Sequence, residues 1–195
     1  MAALWDSDAL ERWTEALASY DAVVARQGVA RLAELDRWYH DELPAAVRAR
    51  DPAHVTLEDL AALTEWKMAR GVWRARNLAL VRGNDAAAVE ERSAAALAKV
   101  PHPTGPIAEL AQLAGVGPAT ASAVAAAVAP DVYPFFDELV AAQVPGLGKV
   151  AWTLGYYARY AQSLRDRAER LGGGWTPAMV ERALWAHVGG KRGKR

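Results

Sequence analysis

The sequence predicts an all-α fold, and three observations carry that expectation. Apolar residues recur at helical spacing along most of the chain, no stretch alternates with period two for long enough to make a strand, and capping and breaking residues punctuate the pattern. The first periodic segment follows Asp6-Ser7-Asp8 and carries Leu10, Trp13, Leu17 and Tyr20. "VARLAELDRWYHDEL" continues with Leu32, Leu35 and Tyr39, and Pro44 is expected to end it. In "VTLEDLAALTEWKMARG", Thr56 and Asp59 form a near capping box, Leu57, Leu60, Leu63 and Met68 make an apolar stripe, and Gly71 marks a break. A short helix in "VWRARNLALVRG" follows. Asn84 or Asp85 can cap the Ala-rich "AAAVEERSAAALAKV", and "PHPTGP" signals a turn. Next come "IAELAQLA" and "PATASAVAAAVA", separated by two glycines, and then a helix beginning near Phe136 or Asp137. A long amphipathic helix is expected over roughly residues 150–171, with Trp152, Tyr156, Tyr160 and Leu164 on one face, and a last helix is capped by Thr176 with Pro177 in its first turn.

A chain of 195 residues with 52% hydrophobic and 24% charged residues suits one globular domain with a real core. Residues 1–188 are read as that domain and the basic "GGKRGKR", residues 189–195, as a frayed tail that is solvated or adds phosphate affinity. There is no cysteine, which excludes disulfides, thiolate zinc sites, iron–sulfur clusters and a cysteine nucleophile. His40, His54, His102 and His187 are scattered, so no metal site is expected. The N-terminus carries acids where a signal peptide needs positive charge, and a cytoplasmic protein is expected. Residues 110–130 are uncharged, but alanine dominates them and Gly-Val-Gly-Pro interrupts them, so no membrane span is expected. Lys plus Arg and Asp plus Glu each number 23, so any nucleic-acid-binding face must be local. A monomer is expected.

"LAGVGPATASAV" is the stretch that points to chemistry. Gly115 and Gly117 permit backbone angles closed to other residues and leave no side chain in the way of an anion. Val116 can plug down between two helices, and Pro118 suits a first helical position. The free N–H groups at the next helix start then favour an oxyanion. Read as packing alone, the same pair is a Gly-capped turn between two helices, with Ala121, Ala125 and Ala126 allowing close approach. "VPGLGKVAW" faintly echoes this stretch without making a repeat.

The pattern Leu110, Leu113, Gly115, Val116, Gly117, Ala121, Val124 resembles the helix-hairpin-helix motif, and with "YPFFDE" downstream the region from about residue 105 to 140 resembles helix-hairpin-helix DNA glycosylases. "VTLEDLAALTEWKMARGVWR" is similar to a recurring feature of a divergent, little-characterised branch related to them. The resemblance implies an all-α fold with two helical subdomains around a DNA cleft. It implies that Gly115, Val116 and Gly117, with Thr120 beside them, hold a DNA phosphate, with a monovalent cation as the one cofactor such a turn takes up. It makes Asp137 the catalytic acid. Two features depart from the pattern. Ala119 and Thr120 occupy the place where lyase-competent members carry lysine, which excludes a Schiff-base step at that position, and "FFDELVAAQ" lacks the arginine that usually follows the aspartate.

In base excision a carboxylate near C1′ stabilises an oxocarbenium-like sugar or orients water. Asp137 is the candidate, with Glu138 as fallback, and a helix N-terminus is expected to favour its anionic form. Both residues would serve equally as caps without chemistry. An extruded base needs aromatic faces, for which Tyr133, Phe135 and Phe136 are candidates, with Trp66 and Tyr39 behind them. Lys67, Arg70 and Arg74 share one helix side if the helix runs through Gly71, where they face phosphates or simply solvent. The leading expectation is therefore a monofunctional DNA glycosylase acting on damaged or modified bases. A non-catalytic helix-hairpin-helix DNA-binding module and a helical protein-interaction domain are the alternatives.

Overall fold

The computed structural model describes residues 3–191, and every regular element among them is helical. The α-helices run in chain order as α1 (Leu10–Ala18), α2 (Tyr20–Arg26), α3 (Leu32–Arg37), α4 (Leu43–Arg48), α5 (Leu57–Arg70), α6 (Ala75–Arg82), α7 (Ala86–Leu97), α8 (Gly105–Leu110), α9 (Pro118–Val128), α10 (Glu138–Ala141), α11 (Leu154–Leu171) and α12 (Pro177–His187). The caps explain most of these limits. Thr56 and Asp59 form a full capping box on α5, Asp85 accepts from Ala88 N on α7, and Thr176 accepts from Met179 N on α12.

Two boundaries differ from expectation. Pro44 does not end its segment, because a π-helical turn at Trp38–Glu42 joins α3 to α4 and places Pro44 in the first turn of α4. The wider turn bonds Leu43 N to Trp38 O, so the missing proline N–H leaves no gap in the ladder. The long helix starts at Leu154 under a Thr153 cap, which leaves Trp152 in the preceding loop, 46% exposed, rather than on the helix face.

The helices fall into two packing groups. The first gathers α3 to α9 around α5 and α9, and the second gathers α1, α2, α10 and α11 around α12. Helix α9 is buried continuously from Thr120 to Ala127, which explains its uncharged sequence as the centre of the first group. No helix among the described residues is long and apolar enough to cross a membrane. Leu60, Leu63 and Trp66 of α5 are fully buried, each stabilising the fold by roughly 1.5–3 kcal/mol, so α5 is a fixed wall. The start of the expected tail is also fixed. Gln27 Nε2 donates to Gly189 O at 3.0 Å, Gly190 packs on Trp185, and Lys191 Nζ donates to Gly71 O at 2.6 Å. Residues 192–195 lie outside the described part.

Candidate functional site

A cavity of about 490 Å³ opens where the two groups meet. The end of α5 and the loop after it supply Lys67, Arg70, Val72 and Arg74, the start of α9 supplies Gly117 to Thr120, and the segment into α10 supplies Phe135, Phe136, Asp137 and Glu138. Trp152 and Lys191 complete the wall.

The acid is held from three sides. Asp137 caps α10, its Oδ1 accepting from Leu139 N at 2.7 Å and from Val140 N at 3.4 Å. Ser122 Oγ on α9 accepts from Phe136 N and donates to Ala119 O, both at 2.9 Å, which ties the acid's segment to the start of α9. From α11, Tyr160 and Tyr157 donate their hydroxyls to Phe135 O and Pro134 O at 2.7 and 3.2 Å. These contacts leave Oδ2 as the carboxylate oxygen free of backbone partners. It lies 3.8 Å from Arg70 Nε, a buried donor that has no hydrogen-bond partner.

Arg70 is the largest departure from the sequence reading. Gly71 ends α5, so the helix does not carry Lys67, Arg70 and Arg74 along one side. The Arg70 side chain is 1% exposed and ion-pairs with buried Glu181 of α12, inside a cage of Trp185, Phe135, Trp66 and Tyr20. It is a structural counter-ion for two carboxylates and not an open phosphate contact. Lys67 and Arg74 do reach the cavity, because the loop folds back with Arg74 N donating to Met68 Sδ and Lys191 fastening Gly71. Among the described residues, neither Lys67, Arg74 nor Lys191 has a carboxylate within ion-pair distance.

Burial works against the anionic form of the acid that its cap position was expected to favour. It pushes the Asp137 carboxyl above its ordinary value, outweighing Arg70 and the Leu139 and Val140 amides. A four-residue helix has too little dipole to compensate. Glu181 is pushed up to about 7, again by burial first. Lys67 is pulled below the usual lysine value by burial and then by Arg74.

The two glycines divide their work. Gly115 has φ +74°, and a Cβ there would stand 2.8 Å from Asn77 O and 2.9 Å from Val81 N, so close packing on α6 requires it. Its role is packing rather than room for a phosphate. Asn84 fastens the same turn, accepting from Ala114 N and donating to Ala114 O at 2.9 Å each. Val116 plugs inward at 5% exposure. Gly117 faces open space, and the N–H groups of Gly117, Ala119 and Thr120 donate no hydrogen bond within the described residues. Thr120 is buried but lines the cavity.

The aromatic candidates separate likewise. Phe136 lies against Trp152, with ring centroids 4.8 Å apart, and both line the cavity with Phe135. Tyr133 does not, because it is buried with its hydroxyl donating to His102 O at 2.8 Å. Trp66 does not either. It stacks on Tyr39 at 3.6 Å and donates to Asp36 Oδ1, beside a smaller cavity of about 200 Å³ behind Arg70. No family model, curated protein or solved structure matches the chain. Among the described residues, no group of three or more His, Asp and Glu side chains could hold a metal ion.

Sequence reading passed over Glu181, Ser122 and Tyr157, and it placed Trp152 on a helix face and Lys191 in a tail. Ser122 was the most findable, since a hydroxyl inside "ATASAVAAAV" is a buried polar group in search of partners.

Proposed function

We propose that this protein is a monofunctional DNA glycosylase of the helix-hairpin-helix kind, removing damaged or modified bases. One observation carries the reading: a buried carboxylate with one oxygen free of backbone partners shares a single cavity with unpaired backbone N–H groups, cations that have no carboxylate partner and a pair of aromatic rings. In this reading α8, the 111–117 turn and α9 form the hairpin. The amides of Gly117, Ala119 and Thr120 meet a phosphate oxygen, and Lys67, Arg74 and Lys191 add cationic charge around it. Phe136 and Trp152 receive the planar face of an extruded base, for which 490 Å³ is ample. As the C1′–N bond breaks, water adds to C1′, Asp137 Oδ2 takes the water proton and gives it up to solvent, and the departing base takes a proton from solvent in its place. A carboxyl raised by burial suits that transfer better than a permanently ionised one.

The test is incubation with duplexes carrying a panel of damaged bases, scored for abasic sites. Wild type is expected to release at least one base and Asp137→Asn none, with both melting alike because asparagine also caps helices well. Release by Asp137→Asn at the wild-type rate would overturn the role of the acid. Duplex binding without release of any base by wild type would leave the DNA-binding module, which the capping bonds of Asp137 on α10 favour.

A further inference from the structure

The chain contains a second turn built like the one at Gly115. Residues 111–117 read "AQLAGVG" and residues 142–148 read "AQVPGLG", and each stretch follows a short helix. Their backbones agree as far as the first glycine. Gln112 N bonds Glu109 O and Leu113 N bonds Leu110 O, while Gln143 N bonds Val140 O and Val144 N bonds Ala141 O. Gly115 and Gly146 have φ of +74° and +78°. Leu113 and Val116 point into the core from the first turn, as Val144 and Leu147 do from the second.

The differences carry the inference. The first turn is sealed on one side by α6 and Asn84, whereas a Cβ added at Gly146 or Gly148 meets nothing within 4 Å. Packing therefore does not explain these glycines. Gly148 keeps a left-handed φ of +72°, and the chain leaves it through the irregular segment 149–153 instead of entering a helix directly. The N–H groups of Gly146, Leu147, Gly148 and Lys149 donate no hydrogen bond within the described residues. Successive unpaired amides in such a turn form a concave anion site. Lys149 is exposed and has no carboxylate partner among the described residues. The turn does not itself line the cavity but is tied to its wall: Trp152, three residues beyond Lys149, lines it, and Tyr156, whose hydroxyl donates to Gly148 O at 3.4 Å, stacks on the lining ring Phe136.

We propose that the 146–149 turn is a second backbone cradle, binding another phosphate of the DNA held at Gly117. This rests on the DNA reading above. Two related turns, one lining the cavity and the other next to its Trp152 wall, would fix the bound strand by two of its phosphates, which positions without reading sequence.

The experiment measures binding of a fluorescent duplex carrying a tetrahydrofuran abasic analogue across a range of KCl concentrations. Lys149→Ala is expected to melt like wild type and to make the slope of log K against log salt shallower by about 0.9, the value for one phosphate contact. Gly148→Ala, which cannot hold the left-handed angle without strain, is expected to weaken binding at every salt concentration with the wild-type slope. Arg74→Ala reports on the first site. If Arg74→Ala weakens binding while both turn variants behave as wild type, the second cradle falls and the DNA reading stands. If only Lys149→Ala has an effect, the backbone cradle is likewise overturned. If wild type fails to bind the duplex, both proposals fall together.

Discussion

Replacing Arg70 with methionine tests the electrostatic centre of the structure directly. The guanidinium lies 4.5 Å from the Trp185 ring, is ion-paired with Glu181 and stands 3.8 Å from Asp137 Oδ2. Methionine preserves much of the volume but leaves the buried Glu181 carboxylate without its ion-pair partner and Asp137 without the guanidinium beside Oδ2. Removing one partner of a buried pair costs about 3–5 kcal/mol, and in a chain of this length each kcal/mol lowers Tm by roughly 2–4 °C, so a loss of roughly 6–20 °C is expected at mildly alkaline pH. The loss has a predictable pH dependence. Burial already lifts both carboxyls, Glu181 to about 7, and without Arg70 they rise further. An acid whose folded pKa exceeds its unfolded value favours the fold at low pH and loses that contribution as pH rises through the folded pKa. The penalty is therefore smaller at about pH 5, below the folded value of Glu181, than at about pH 8, above it, where Glu181 must ionise or hold its proton against the solvent. Urea unfolding followed by tryptophan fluorescence at the two pH values measures it. A loss below about 1 kcal/mol, the scale of a surface pair, or an equal loss at both pH values would refute the buried-cluster reasoning.

Glu181→Gln should flatten the pH profile of stability. Wild type loses about 3 kcal/mol as pH rises from the unfolded glutamate value of about 4.5 to the folded value of about 7, and melting curves across that window check whether the variant lacks the decline. Gly115→Ala should destabilise the fold by about 1–3 kcal/mol, since the methyl meets backbone atoms of α6 at a positive φ. Gly117→Ala, at φ −94° with open space around it, should change stability by less than about 1 kcal/mol while weakening duplex binding. Equal stability losses in the two glycine variants would contradict the division of labour between them.

The helical architecture was legible because local signals and packing agree. Thr56 with Asp59, Asp85, and Thr176 with Pro177 are local caps that need nothing from the rest of the chain. The apolar stripe of α5 and the continuously buried α9 follow from spacing and from the absence of charge. What failed to read out was pairing at a distance. "EWKMARG" looks like a basic face, yet Arg70 is drawn inward by Glu181, which lies 111 residues further along the chain. Nothing local marks that arginine as different from Lys67. Tyr133 and Trp66 were misplaced for a related reason: both have a polar atom that finds a buried acceptor, His102 O and Asp36 Oδ1, and composition does not distinguish such a ring from one facing a cavity. Pro44 misled because a π-turn removes the need for its N–H, and a single sequence carries no period for a turn that short.

The cost of the Asp137–Arg70–Glu181 cluster weighs between an enzyme and a simple DNA-binding module. Buried ion pairs can often be exchanged for well-packed apolar side chains with no loss of stability, or with a gain of about 1–4 kcal/mol, so folding alone gives little reason for three ionisable groups here. Nor does phosphate binding. A carboxylate among Lys67, Arg74 and Lys191 repels the very oxyanions those cations attract, and a binder would do better with asparagine at the same cap. The acid becomes useful only where positive charge develops or a proton must be accepted, which is the situation at C1′ during loss of a base. Asp137→Asn should then bind an abasic-analogue duplex at least as tightly as wild type while releasing no base, a gain in affinity joined to a loss of chemistry that a capping residue without a catalytic role would not produce.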